Sequence, residues 1–118
     1  MNNEIKKWDG TVYPDMIRNL PEIDIQIDGI RGWLLQGGNK QAVFFDIQPV
    51  GEIPPHSHCA QWGIMLEGEM SLTIGGDTKV YRKGDQYYIP KDVIHSANFL
   101  SRVNVIDVFD ASDRYKTK

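Results

Sequence analysis

Two histidines one residue apart lie in the segment PPHSHCAQWGIMLEGEM, which covers residues 54–70. Alternate residues of a β-strand point to the same face, so His56 and His58 would project together if this segment is extended. Two neutral imidazoles on one face are a common pair of ligands for a divalent transition metal. The same spacing also occurs by chance on edge strands that bind no metal, so the pair alone leaves both interpretations open.

Two further side chains offer a third and a fourth ligand. Gln61 would share the face of the two histidines only if a bulge or an irregular turn intervenes, and the small residues Cys59 and Ala60 permit one. His95 completes the three histidines of the chain. It follows a proline turn and opens another candidate strand, from which its ring could meet the same point.

Short apolar or alternating runs, each closed by a turn signal, make up most of the chain. They are rich in Val, Ile, Tyr, Phe and Thr and recur about every ten residues, which is typical of an all-β sandwich or barrel. The runs cover residues 23–27, 32–36, 41–48, 56–66, 70–74, 78–82, 86–89, 95–99 and 102–109. Only residues 14–20 indicate a helix, with Pro14 suited to its first turn. Alternatively, the first twenty residues form an arm that covers a sheet edge or a partner subunit.

The length and composition fit one globular domain over residues 1–118. The chain has 41% hydrophobic and 25% charged residues and a formal net charge of −3. Both fractions are ordinary for a folded domain of this size. We expect no nucleic-acid partner, because the chain is mildly acidic and contains no extended basic run.

The sequence features that report on compartment all favour the cytoplasm. Cys59 is the single cysteine, so the fold does not depend on an internal disulfide. The N-terminal segment MNNEIKKWDG lacks the apolar core of a secretory signal. No stretch approaches the roughly 20 apolar residues of a membrane helix. We therefore expect a cytoplasmic protein with no membrane partner.

Two stretches of the sequence resemble the two motifs of the cupin family. The family's first motif reads G-x5-HxH-x3,4-E-x6-G, and its second reads G-x5-P-x-G-x2-H-x3-N. The corresponding stretches here are Gly51-x4-His56-x-His58-x2-Gln61-x6-Gly68 and Gly84-x5-Pro90-x-Asp92-x2-His95-x2-Asn98. Asp92 replaces a glycine, Asn98 comes one residue early, and the spacings before and after the histidine pair are each one residue short. The resemblance covers about residues 40–110.

The resemblance implies a double-stranded β-helix, or jelly-roll barrel, with residues 1–22 as an N-terminal arm and about residues 40–110 as the barrel core. It also implies one divalent transition metal, which is Fe, Mn, Zn, Ni, Co or Cu. His56, His58 and His95 match the ligand positions of the family, and Gln61 stands where the family has a glutamate. A glutamine can ligate through its carbonyl oxygen but cannot act as a general base. Alternatively, Gln61 only forms hydrogen bonds inside the barrel.

The function that these features favour is that of a metal-dependent enzyme. Its substrate would be a small molecule with a carboxylate, enol or phenol oxygen, converted by oxygenation, isomerisation, cyclisation or decarboxylation. The sequence identifies no catalytic residue. The alternative is a non-catalytic barrel that binds or senses a small ligand. We also expect a homodimer, because small strand-rich barrels leave sheet edges to cover.

Four other side chains have more than one possible role. Asp107 lies in the apolar run VIDVF, where it could orient a ligand histidine, act as a base or face solvent. Cys59 is predicted to be a small buried hydrophobe, with a thiolate ligand as the alternative. Trp62 and Met65 either line the pocket or pack in the core, and we favour the core.

Overall fold

The computed structural model describes residues 8–49 and 51–118. That part of the chain contains one short helix and nine strands, which confirms the expected all-β fold. The helix is α1 (Asp15–Arg18). The strands are β1 (Ile30–Gln36), β2 (Gln41–Ile47), β3 (Glu52–His56), β4 (Gln61–Glu67), β5 (Met70–Ile74), β6 (Asp77–Tyr81), β7 (Gln86–Ile89), β8 (His95–Phe99) and β9 (Val103–Phe109).

The strands form two antiparallel sheets that enclose the core as a jelly roll. One sheet has the order β1-β2-β9-β4-β7, and the other has the order β3-β8-β5-β6. Alternate residues of most strands face inward and bury apolar side chains. The most buried apolar residues of the core are Ile23, Val43, Met65, Ile89, Val103, Val105 and Phe109. None of the described helices is long and apolar enough to cross a membrane.

The predicted strand over residues 23–27 is wrong beyond its first residue. Ile23 forms an isolated bridge with Thr117, and residues 24–29 then run as a loop to the start of β1. The alternating isoleucines of this segment reflect a different constraint, since Ile25 and Ile27 line the internal cavity instead of one face of a sheet. An alternating pattern indicates that one face of an extended segment is buried. It does not show that the segment pairs with another strand.

The predicted strand over residues 56–66 is two strands separated by a turn. β3 ends at His56, β4 begins at Gln61, and residues 57–60 connect them. Pro54 and Pro55, which the sequence indicates as turn residues, lie inside β3. This is possible because β3 is an edge strand, where a missing N–H does not interrupt a ladder on both sides.

The described part of the N-terminal arm is attached to its own barrel. Tyr13 is buried, and its hydroxyl donates to the Phe45 carbonyl at 2.8 Å. The Tyr13 ring packs edge-on against Trp33 and Phe44. The helix predicted over residues 14–20 is present but shorter, with Pro14 as its N-cap residue. Residues 1–7 of the predicted arm lie outside the described residues.

Candidate metal centre

The structure brings the three histidines of the chain together at one end of the cavity. His56 is the last residue of β3, and its register partner His95 is the first residue of β8. His58 lies in the turn between β3 and β4, so the expectation that both residues of the pair lie on one strand is wrong. One ring nitrogen from each of the three histidines lies within 4.8 Å of the other two.

Backbone carbonyl groups determine which nitrogen of each imidazole carries the proton. Nδ1 of His56 lies 2.9 Å from the Pro54 oxygen, Nδ1 of His58 lies 2.8 Å from the Cys59 oxygen, and Nδ1 of His95 lies 2.9 Å from the Val93 oxygen. A carbonyl oxygen can only accept, so each Nδ1 must donate. Nε2 of each ring is then left with a free lone pair, which is the form that binds a metal ion.

Two of the histidines are held in the neutral form by their surroundings. Burial lowers the pKa of His58 to about 4, and the positive charge of Arg114 and the neighbouring His95 and His56 add to this effect. Burial also lowers the pKa of His95, with further contributions from His56 and Arg114. Neutral imidazoles compete poorly for protons and remain available as ligands near neutral pH.

The separation of the imidazoles fits a first-row divalent ion. Nε2 of His58 lies 3.2 Å from Nε2 of His95. Metal–nitrogen bonds of about 2.0–2.1 Å place two neighbouring ligand nitrogens roughly 3–3.5 Å apart. Neutral imidazoles suit Zn, Cu, Fe or Ni more than Ca or Mg, which prefer oxygen. The three histidines therefore could hold a transition-metal ion.

Gln61 lines the cavity beside Asp107. Its side chain favours the ionised form of the Asp107 carboxylate and so lowers the pKa of that group. A carboxylate can only accept hydrogen bonds, so an amide that turns its nitrogen toward Asp107 leaves its carbonyl oxygen for another partner. Ligation by Gln61 and the alternative, a hydrogen bond inside the barrel, both stay predictions.

Asp107 lies inside the barrel and does not face solvent. It is 3% exposed and lines the cavity. Burial raises its pKa to about 6, although hydrogen bonds from Tyr87 and Gln61 oppose that rise. The Tyr87 hydroxyl donates to Oδ1 at 2.5 Å. Since no other carboxylate is among the described residues that line the cavity, Asp107 is the acid of this site.

Arg114 is a cavity residue that sequence reasoning missed. It lies in the C-terminal segment, and no sequence pattern connects that segment to the site. Its guanidinium group packs 4.5 Å from the Tyr115 ring centroid and 5.8 Å from that of Phe109. Its Nε is buried with no hydrogen-bond partner. Among the described residues, no carboxylate forms an ion pair with it. An arginine so placed is suited to bind an anionic group.

The cavity that these groups share has a volume of about 360 Å³. That is within the usual range for a small-molecule site. Met65 packs in the core as predicted, being 1% exposed. For Trp62 the predicted core position is wrong, because its side chain lies outside both the core and the cavity lining and donates to the Gln86 side chain at 3.3 Å. Cys59 is partly buried against the core, and burial raises the pKa of its thiol.

The cupin domain family Cupin_2 matches residues 43–109. Among solved structures, an RmlC-like cupin from Shewanella frigidimarina NCIMB 400 is 27% identical, with a TM-score of 0.71 over 80% of this chain and 86% of that one. KdgF from Halomonas sp. is 23% identical, with a TM-score of 0.69 over 78% and 86% of the two chains. No curated protein matches the sequence.

Proposed function

The chain belongs to the cupin family, and on that premise we propose that it is a metal-dependent enzyme that acts on a small carboxylate-bearing substrate. The observation that carries the proposal is the cavity itself. It combines three imidazoles with free Nε2 lone pairs, an arginine with no carboxylate partner among the described residues, and one buried carboxylate. The likeness to KdgF supports the fold alone.

The proposed ligands of the ion are His56, His58 and His95, with the carbonyl oxygen of Gln61 as a fourth. Three imidazoles and an amide carry no charge, so a divalent ion would keep its full +2 charge and attract anions. When bound, such an ion supplies a Lewis acid that polarises an oxygen of the substrate.

Arg114 is proposed to bind the carboxylate of the substrate. Its guanidinium group lies close enough to His58 and His95 for its charge to lower their pKa values. A substrate anchored by Arg114 would therefore also lie near the three imidazoles. Stacking on Phe109 and Tyr115 restricts the guanidinium group and reduces the entropy lost when an anion binds.

Asp107 is proposed to exchange a proton with the substrate. It is the one carboxylate among the described cavity residues, and a hydrogen bond from Tyr87 holds it in one orientation. A fixed carboxylate next to a bound acid can take a proton from carbon or oxygen. Gln61 cannot take this role, because it has no group that titrates near neutral pH. This favours isomerisation, cyclisation or decarboxylation among the predicted reactions.

The proposal can be tested before the reaction is known. Metal-loaded protein is incubated in D₂O with a panel of small enolisable 2-oxo acids, and proton NMR follows the exchange of carbon-bound hydrogen. We expect exchange in at least one acid that depends on the metal and is lost in Asp107→Asn. Saturable binding of the acids with no exchange or conversion would contradict an enzyme and leave the ligand-binding barrel as the better account.

Arg114→Met separates binding from chemistry in the same assay. We expect it to weaken binding of the acids by about 10- to 100-fold, since a charge-assisted hydrogen-bonded pair is lost. Arg82→Met is the matched control, because Arg82 is an exposed arginine paired with Glu69 outside the cavity. Equal affinities for the parent and Arg114→Met would contradict the assigned role.

A further inference from the structure

We propose that the substrate carries a hydrocarbon body on its carboxylate, as a branched aliphatic or aryl acid does, and is not a polyhydroxylated acid. This inference rests on the proposed function, because it takes Arg114 as the carboxylate anchor. It follows from how polar and apolar side chains are distributed over the cavity.

Five of the isoleucines that line the cavity come from a loop and three strands. Ile25 and Ile27 belong to the loop before β1, Ile30 and its register partner Ile47 belong to β1 and β2, and Ile53 belongs to β3. Ile53 is three residues before His56, and both side chains line the same cavity. The apolar region is therefore continuous with the metal centre and forms part of the same binding space.

Ile27 marks where the apolar region reaches the surface. It is 43% exposed, whereas Ile30 and Ile47 are only 8% and 5% exposed. A large aliphatic side chain at the edge of a cavity loses its contact with water when an apolar ligand covers it. Covering Ile27 with a hydrocarbon group therefore removes apolar surface from water and favours binding of that group.

The polar groups of the cavity are largely engaged. The Nδ1 atoms of the histidines donate to backbone carbonyls, and Asp107 accepts from Tyr87. Once the ion and the carboxylate of the substrate are bound, the remaining hydroxyls of the described lining are those of Ser96 and Tyr115. These two hydroxyls can form hydrogen bonds with one or two further oxygen atoms of the substrate. They cannot pair with all the hydroxyls of a fully hydroxylated chain.

The consequence for specificity follows from the cost of burying unpaired polar groups. Each hydroxyl placed against isoleucine without a partner would weaken binding by about tenfold. Each methylene in the same place would strengthen it by roughly threefold. An apolar acid should therefore bind much more tightly than a hydroxylated acid of the same length and charge.

The test compares two six-carbon monocarboxylates, 4-methylpentanoate and gluconate, by isothermal titration calorimetry on the full-length, metal-loaded protein. We expect 4-methylpentanoate to bind at least 30-fold more tightly. Equal binding, or tighter binding of gluconate, would overturn the inference and leave the proposed function intact. If neither acid binds, the carboxylate-binding function fails, and the inference fails with it.

Two threonine variants test whether the isoleucine lining causes the tighter binding of 4-methylpentanoate. Ile27→Thr keeps the β-branched shape, is partly exposed and should fold, and we expect it to weaken 4-methylpentanoate binding by about three- to tenfold while leaving gluconate binding unchanged. Ile94→Thr is the control, because Ile94 is 62% exposed and lies outside the lining of the cavity. An equal effect of both variants, or no effect of Ile27→Thr, would contradict the assigned apolar contact.

Discussion

The Tyr87 hydroxyl donates a 2.5 Å hydrogen bond to Asp107 Oδ1 across the backbone of Gly63. Gly63 is the register partner of both residues, because β4 lies between β7 and β9. A Cβ at position 63 would lie 2.3 Å from Asp107 Oδ1 and 2.3 Å from Tyr87 Cζ. The two side chains can therefore meet only because the strand between them has no side chain at this position.

Gly63→Ala should destabilise the protein by displacing this pair. The added methyl group clashes with a buried ring and a buried carboxylate, so we expect the free energy of unfolding to fall by about 2–4 kcal/mol. Urea denaturation measures the change. Gly38→Ala is the control, since a Cβ there meets no atom within 4 Å. Equal stabilities of the two variants would contradict the account of Gly63.

Gln61→Glu should destabilise the metal-free protein. A glutamate would place a second carboxylate beside Asp107, replace a hydrogen-bond donor with an acceptor and create like-charge repulsion in a buried site. We expect the free energy of unfolding at pH 8 to fall by about 1–3 kcal/mol. This gives a physical reason for a glutamine where the family has a glutamate.

Gln86→Glu is the charge-matched control for that substitution. Gln86 is exposed and accepts a hydrogen bond from Trp62, which a glutamate can also accept. We expect a change within about 0.5 kcal/mol. Equal stabilities of Gln61→Glu and Gln86→Glu in metal-free protein would contradict a favourable interaction between Gln61 and the Asp107 carboxylate.

Asp46 should make the stability of the fold depend on acid pH. Burial acts to raise its pKa, but hydrogen bonds from Arg102 and Arg31 outweigh burial and hold the pKa below its ordinary value. Arg102 Nε lies 2.9 Å from Oδ1, and Arg31 Nη2 lies 3.0 Å from Oδ2. A carboxylate with a depressed pKa stabilises the fold above about pH 4 and loses that contribution as the pH falls toward its folded-state pKa.

We expect Asp46→Asn to lower the free energy of unfolding by about 1–3 kcal/mol at pH 7. Denaturation at a series of pH values below 4 should show the parent and the variant converging. Asp77→Asn is the control, because Asp77 is exposed and its ion pair with Lys79 is long at 3.8 Å. A gap between Asp46→Asn and the parent that stays constant down to pH 2 would contradict the linkage.

The expected homodimer stays a prediction, and the five-stranded sheet offers a surface for it. Leu35, Ala42, Val108, Trp62 and Tyr88 are successive register partners across all five strands. They lie on the face opposite the cavity, because Tyr87 and Asp107 point inward. Leu35 is 52% exposed and Tyr88 is 59% exposed. An apolar row of this length on an outer face suits the same row of a second copy.

Light scattering on the full chain tests the dimer. We expect a dimeric mass for the parent and a monomeric mass for Tyr88→Lys, since a charge would be buried within a self-complementary contact. Val80→Lys on β6 of the other sheet is the control and should stay dimeric. A monomeric parent would contradict the prediction. Deletion of residues 1–20 is a poorer test, because it also removes the Tyr13 packing on Trp33 and Phe44.

The sequence could predict the strands because they depend on local pattern, and the histidine cluster because two stretches resemble the cupin motifs. Runs of β-branched and aromatic residues between turn signals correspond to most of the observed strands. Asp92, which replaces a motif glycine, has a φ of 65°, a conformation that aspartate tolerates better than most residues. The small residues Cys59 and Ala60 permit the irregular segment that separates β3 from β4, although the sequence predicted one strand over residues 56–66.

The remainder of the site depends on contacts between residues that lie far apart in the sequence, and a local sequence pattern does not predict such contacts. Arg114 reaches the cavity only through the path of the C-terminal segment, and Gly63 matters only because of the register of three strands. Ile25 and Ile27 have the alternation of a strand, yet they line the cavity from a loop. Long-range register and loop path are set by packing of the whole domain, so sequence spacing could not reveal them.

Elemental analysis of protein purified without oxygen or chelator, beside His56→Ala, tests the central claim most directly. We predict close to one equivalent of Fe, Mn, Zn, Ni, Co or Cu in the parent, with most of it lost in His56→Ala because one of three converging imidazoles is gone. Absence of metal in the parent, even after reconstitution with each of these ions, would contradict the claim. So would an equal metal content in His56→Ala.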